Sequence, residues 1–187
     1  MTLLSNTITY AEARETDAAA LDRCLAGIAA RDTAALEELY HSTSAAVHAF
    51  ALSILKNAHD AEDVLHDCYL HIYSGAEAYR SAGKPMAWIL TITKNLCYQK
   101  LRERQRQASL PEEDWEPWLN TNAGLTHEDR VTIRQCMDRL SDEERQIVVL
   151  HAVAGFRHRE IGELLELPLS TVLSKYHRAI KKLRSYF

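Results

Sequence analysis

The sequence predicts an all-α protein: two small helical domains joined by an acidic flexible linker, the second built on a helix-turn-helix. Three observations predict it. Among 187 residues there are only 6 Gly and 4 Pro, a composition that favours helices over strands and their turns. Helical periodicity runs from Leu21 to about Gln107 and again from Thr126 to Phe187. Between them lies a stretch with Pro111, Pro117 and a cluster of acids that keeps no period. A short helix, a tight turn and a helix with a basic outer face close the chain. The resulting layout is an N-terminal arm at 1–20, a larger domain at 21–107, a linker at 108–131 and a smaller domain at 132–187.

Several function classes are disfavoured at once. No apolar run approaches the roughly 20 residues that span a bilayer, so no membrane insertion is expected. Met1 to Ala20 carries Glu12, Arg14, Glu15 and Asp17 without an apolar core and is not a secretory signal, which implies a cytoplasmic protein. Cys24, Cys68, Cys97 and Cys136 are scattered, with no C-x-x-C pair, so neither a disulfide framework nor a zinc site of the usual spacing is expected. His66, Cys68 and His71 form the one conceivable soft-metal group, and packing or surface roles are the plainer reading. No nucleophile–base pair and no phosphate-cradling Gly-rich loop is present. The chain is therefore read as a non-enzyme without metal, cofactor or small-molecule substrate.

Charge is distributed unevenly. The formal balance is −7 over residues 1–80, +5 over 81–110, −4 over 111–139 and +2 over 140–187, which makes the overall −4. Two basic islands alternating with two acidic stretches suit two separate contacts with a polyanion, with acidic surface left for another partner.

In the first domain, Ala61 to Tyr73 reads as one amphipathic helix. Val64, Leu65, Cys68, Tyr69, Ile72 and Tyr73 form its apolar stripe, and Asp63, His66, Asp67 and Leu70 share the other side. A leucine beside carboxylates fits a docking patch for a basic protein surface; an ordinary acidic surface with a stray leucine is the alternative. The next helix opens after Ser81-Ala-Gly-Lys with Pro85 in its first turn. Ile89, Ile92 and Leu96 point inward, while Trp88, Thr91, Asn95, Tyr98 and Arg102 line an adjoining face beside Lys94. Aromatic rings, an amide and bases on one face suit single-stranded DNA, because rings stack on unpaired bases and cations hold phosphates. Trp88 divides between a core and a stacking role.

In the second domain, Ser141 and Glu144 form a capping box for a helix that Gly155 can stop. A short helix runs from about His158 to Glu166, Leu167-Pro168-Leu169 makes the turn, and Ser170 is expected to cap the last helix. Val172, Tyr176, Ala179, Ile180 and Leu183 form its buried stripe, and Thr171, Lys175, Arg178 and Lys182 form the outer face. Such a helix can enter a major groove with its N-terminal residues at the base edges.

Together these motifs resemble the sigma-70 family of RNA polymerase factors in its short extracytoplasmic-function (ECF) form, over nearly the whole chain from Leu21. The matching pieces are Ala61-Glu62-Asp63-Val64, the Ala87-Trp88-Ile89…Ile92…Asn95-Leu96…Leu101-Arg102 pattern, Leu140-Ser141…Arg145, Gly155…Glu160-Ile161, and Leu167-Pro168…Thr171-Val172…Ser174-Lys175…His177-Arg178-Ala179. The resemblance implies a factor that binds core RNA polymerase and directs promoter recognition and transcription initiation. Asp63, His66, Asp67 and Leu70 would bind core polymerase. Trp88, Thr91, Lys94, Asn95, Tyr98 and Arg102 would read the melted downstream (−10) element. Ser170, Thr171, Ser174, Lys175, Arg178 and Lys182 would contact the upstream (−35) duplex. An anti-sigma factor is a further expected partner. The chain departs from the family pattern at His66, Gln99, Ser170 and Lys175, and Leu173 stands where a basic residue is frequent. Two rival readings are a stand-alone helix-turn-helix regulator and a sigma mimic that titrates an anti-sigma factor.

Overall fold

Helix α1 occupies residues 17–29 at the start of the described chain; the computed structural model describes residues 17–107 and 127–185. The chain turns sharply after α1 through Arg31 (φ 65°), and Asp32 caps α2 (Thr33–Leu55) by accepting from the Ala34 amide at 2.9 Å. Gly27 makes the tight α1–α2 crossing possible: a Cβ there would lie 2.7 Å from that of Ala35. Lys56 ends α2 in the left-handed region, and Asn57 caps α3 (Ala58–Gly75) through the Asp60 amide at 3.0 Å. A single 3₁₀ turn (Ala76–Ala78) leads to α4 (Pro85–Gln107), whose first residue is the expected proline and whose last turn holds Arg104 and Arg106.

These four helices bury Leu25 and Ile28 of α1, Leu39, Val47, Phe50 and Leu52 of α2, Val64, Cys68 and Ile72 of α3, and Ile89, Leu90 and Cys97 of α4. The expected α3 stripe is the buried one, with Tyr73 only half-buried. On α4 the core face is turned somewhat from the expected one: Leu90, Thr93 and Cys97 are fully buried with Ile89, whereas Ile92 and Leu96 are half-buried. Thr93 can sit there because its hydroxyl donates to the Ile89 carbonyl (3.0 Å) and lies 3.4 Å from the Cys68 sulfur. All four cysteines are free and buried, and burial pushes the Cys68 thiol up to about 11.

The C-terminal part comprises α5 (His127–Asp138), α6 (Asp142–Ala152), α7 (His158–Leu165) and α8 (Leu169–Arg184). Residues 1–16 and most of the linker, 108–126, lie outside the described residues, and α5 begins within the stretch assigned to the linker. The Ser141–Glu144 capping box forms as expected, and Gly155 has φ 70° beyond the end of α6. The cap of α8 differs from expectation. Pro168, with an extended ψ of 141°, occupies the N-cap, and its carbonyl accepts from Thr171 and Val172. Ser170 is therefore an exposed residue of the first turn rather than the cap, because proline already supplies the cap backbone.

The two groups of helices pack against each other. Ile147, Leu150, Phe156, Ile161 and Leu164 belong to the same buried apolar cluster as the α1–α4 core, with α6 lying on α2. At this seam the buried Arg145 guanidinium donates to the carbonyls of Ser53 (3.4 Å) and Leu140 (3.0 Å) and to Asp142 (3.0 Å). Lys56 meets the same Asp142 at 3.1 Å. A smaller cluster of Leu140, Val148 and Ala179 ties α8 to α6.

Candidate protein and nucleic-acid interfaces

The outer face of α3 presents His66, Asp67 and Leu70 to solvent, and Leu70 is 66% exposed. Asp63 lies beside them but is half-buried and committed to α4. Its carboxylate accepts from Lys100 at 2.5 Å and lies 3.6 Å from His59, and the Lys100 hydrogen bond holds it below the usual carboxylate range. Lys100 also reaches Asp60 (3.3 Å), which Arg104 pairs in turn. Of the four expected docking residues, three form an open patch, and the fourth braces α3 against α4. Cys68 is buried near Thr93 while His66 and His71 are exposed, so the trio does not converge on one point.

On α4, helical spacing puts Trp88, Thr91, Asn95, Tyr98 and Arg102 on one face. Thr91, Asn95, Tyr98 and Arg102 are exposed, and Trp88 is half-buried with its ring 4.8 Å from that of Tyr79. The tryptophan thus has one side in the fold and one edge available. Tyr79 is itself anchored, its hydroxyl donating to Asp22 at 2.6 Å. Lys94 behaves differently. Its ammonium donates to the Leu164 carbonyl (2.8 Å) and to Glu166 (2.7 Å), both at the end of α7, and its side chain is only 13% exposed. Immediately before α4, Lys84 meets Glu163 of α7 at 2.7 Å. Lys84, Glu163 and Glu166 were not singled out in the sequence, because their proximity depends on how the two domains dock.

On α8, Val172 and Ala179 are buried and Tyr176, Ile180 and Leu183 half-buried, the stripe expected. Of the expected outer face, Arg178 and Lys182 are exposed, together with Ser170, Ser174, His177 and Lys181, whereas Thr171 and Lys175 are half-buried. Glu143 of α6 pairs Lys175, and Glu144 holds Lys182 at 2.5 Å. Acids in the first turn of α6 suit its dipole, and here they also anchor α8. His177 and Lys181 share this exposed face because both lie opposite the Val172–Ala179 stripe. Leu169 and Leu173 are exposed on the flank away from Lys175. Behind α8, the rings of His151 and His158 stack at 4.6 Å, and Tyr176 packs edge-on against both. Burial, reinforced by His151 and His177, lowers the pKa of His158.

A helix-turn-helix with a polar, basic outer face, joined to a helical unit carrying an aromatic-basic face, defines a DNA-binding protein of the transcription-factor class. Family comparison makes this specific. Residues 39–107 match the model for sigma-70 region 2, and residues 130–183 match that for sigma-70 region 4. The chain is 27% identical to the ECF RNA polymerase sigma factor SigK of Mycobacterium bovis and of Mycobacterium tuberculosis, over 88% of this chain and 92% of theirs. Its fold is similar to that of the sigma factor RpoE in complex with the anti-sigma factor NepR from Bartonella quintana. The TM-score is 0.63 at 19% identity, over 80% of this chain and 94% of that one. It is also similar to CnrH in complex with the cytosolic domain of CnrY, with TM-score 0.62 at 20% identity, over 89% and 96%. The chain belongs to the sigma-70 family, in its ECF group, and is a sigma factor that directs transcription initiation.

Proposed function

We propose a division of labour among three faces. The α3 patch of His66, Asp67 and Leu70, with Asp63 at its margin, docks core RNA polymerase. The α4 face of Trp88, Thr91, Lys94, Asn95, Tyr98 and Arg102 captures unpaired bases of the melted element. The α8 face, centred on Ser170, Ser174 and Arg178 and flanked by Thr171, Lys175 and Lys182, contacts the upstream duplex. Binding energy alone drives this role: rings and cations stabilise the open strand, and no bond is made or broken by the protein. The role places the protein in the cytoplasm, with polymerase and promoter DNA. Among the described residues no helix is long and apolar enough to cross a membrane.

One observation carries the proposal. The exposed leucine and carboxylate on α3 lie on a different helix from both basic faces, so protein docking and DNA binding need not compete for one surface. An anti-sigma factor is a further proposed partner. A cleft of about 1120 Å³ between the domains, lined by apolar residues such as Leu21 and Phe156 and by charged ones such as Glu38, Arg157 and Glu160, offers it a mixed surface.

The test is run-off transcription with purified core polymerase and a library of promoter fragments, comparing the protein with an Asp67→Arg/Leu70→Glu variant. Asp63 is left intact because it braces α4. Specific transcripts that vanish in the variant together with core binding are the expected result. Transcripts that persist would remove α3 from the docking role. Duplex binding without any core binding by the unaltered protein would favour a stand-alone regulator.

A further inference from the structure

We infer that Leu169 and Leu173 are specificity-determining residues of α8, which read thymine in the upstream element through its C5-methyl group. This rests on the assignment of α8 to the upstream duplex and deepens it by naming what one flank of the helix recognises. Six large apolar side chains stand exposed among the described residues, and two of them share α8: Leu169 is 45% exposed and Leu173 37%. Four residues apart, they lie on one side of the helix, one turn above the other. The stripe that α8 buries belongs to Val172 and Ala179, so both leucines are left on the solvent side of it.

Their neighbours continue this apolar strip into the polar and basic face. Ser170 and Ser174 each follow one of the leucines, and His177 lies one turn beyond Leu173; all three are exposed. Arg178 stands one turn beyond Ser174 and is also exposed. Across the helix the surface therefore runs from apolar, through hydroxyl, to cationic. The start of the helix is firmly set. The Pro168 carbonyl accepts from the Thr171 and Val172 amides at 2.9 and 3.1 Å, which fixes Leu169 in the first turn. That is the end of a recognition helix that meets base edges.

Chemistry selects the occupant. A leucine neither donates nor accepts a hydrogen bond, and set against a phosphate it strips water from a charge without replacing it. The donors and acceptors on base edges would be left unpaired in the same way. Among the groups that base pairs present in the major groove, the thymine C5-methyl is the apolar one. A lysine or arginine at position 173 would suit a phosphate or guanine; leucine turns the preference to thymine. Ser170, Ser174 and Arg178 supply the polar contacts beside it.

The experiment uses holoenzyme assembled from core polymerase and the full chain, with a promoter library randomised over the upstream element. Bound fragments are sequenced for the unaltered protein, for Leu169→Ala/Leu173→Ala and for Arg178→Ala. Each enriched thymine is then replaced by deoxyuridine, which lacks only the methyl group. The expected result is thymine enrichment at one or two upstream positions, lost in the double leucine variant. Removing the methyl should weaken binding of the unaltered holoenzyme about three- to fivefold, the worth of one buried methyl, and leave the double variant unaffected. The methyl is removed from the DNA, so this comparison does not depend on how well a variant folds. No thymine preference, or equal binding of thymine and uracil promoters by the unaltered protein, would overturn the methyl contact. Upstream enrichment that Arg178→Ala abolishes would still keep α8 as the duplex reader in that case, whereas enrichment indifferent to every α8 variant would overturn both. Methyl sensitivity that survives in the double variant would assign the contact to another residue. Leucine variants that no longer bind core polymerase would make the strip a protein contact and equally overturn the inference.

Discussion

The faces on α4 and α8 both consist of cations among polar side chains, yet the fold treats them oppositely. On α8 the carboxylates that hold lysines come from the same domain: Glu143 and Glu144 of α6 fix Lys175 and Lys182, and Ser174, His177, Arg178 and Lys181 remain exposed. On α4 the carboxylates come from the other domain, so that Lys94 and Lys84 are satisfied only while the chain is closed. The same pairing chemistry braces α8 within its own domain in one place and ties α4 to the other domain in the other. Sequence distance reflects the same difference, 38 residues for Lys182–Glu144 against 72 for Lys94–Glu166, because the acidic helix belongs to the same domain in the first case and to the other domain in the second.

The largest expected effect tests whether closure depends on the apolar seam and its buried cation. Arg145→Met should lower unfolding free energy by about 3 kcal/mol, because the carbonyls of Ser53, Leu140 and Met137 lose their donor in a buried place. Urea denaturation measures this. A loss below about 1 kcal/mol would show that the seam is held by apolar contact alone.

Next in size is the contrast between Arg178, whose guanidinium donates to the Ser174 carbonyl at 3.3 Å, and the α8 lysines held by carboxylates. Arg178→Ala should weaken duplex binding by about 1–2 kcal/mol and reduce the salt slope by about one ion. Lys182→Ala should cost less, because Glu144 already holds that charge at 2.5 Å. Fluorescence anisotropy over a range of salt concentrations decides between them, and equal losses would erase the distinction between Arg178 and the held lysine.

A smaller effect should appear with pH. Burial lowers the His158 pKa from its ordinary 6.5, so the folded state binds the proton less well than the unfolded chain. The resulting stability is present in full above about 6.5 and is lost as pH falls below it, toward the depressed folded-state value. His158→Phe should flatten this slope of the stability curve in thermal melts between neutral and mildly acidic pH. An unchanged slope would transfer the acid sensitivity to other groups.

The smallest effect concerns the anchors themselves. Lys175→Gln should change stability by only about 0.5 kcal/mol, since its partner Glu143 is 48% exposed and solvent screens the pair. Thermal melts of the variant, with duplex affinity measured beside them, would show whether the anchor orients α8 more than it stabilises it.

Local chemistry was legible wherever a single helix specifies it. The Ser141–Glu144 capping box, Pro85 at the start of α4 and the buried stripes of α3 and α8 all depend on residues within a few turns of each other. The α8 cap was misplaced by two residues because Pro168 and Ser170 are both credible at a helix start, and only the backbone angles distinguish them. The core face of α4 was turned because Thr93 looks polar in sequence, and only the facing Cys68 and the Ile89 carbonyl make its burial acceptable.

By itself, the sequence determined the all-helical class, the helix-turn-helix, the separation of acidic from basic stretches and the family motifs, because periodicity, capping and charge are properties of short segments. Only the tertiary structure decided that the two helical units share one core, that Asp63 braces α4 and that Lys94 is covered by α7. Those outcomes depend on pairs such as Lys94–Glu166 and Arg145–Ser53, many residues apart in sequence. No local pattern encodes such a pairing, since it exists only once apolar burial has brought the two surfaces together.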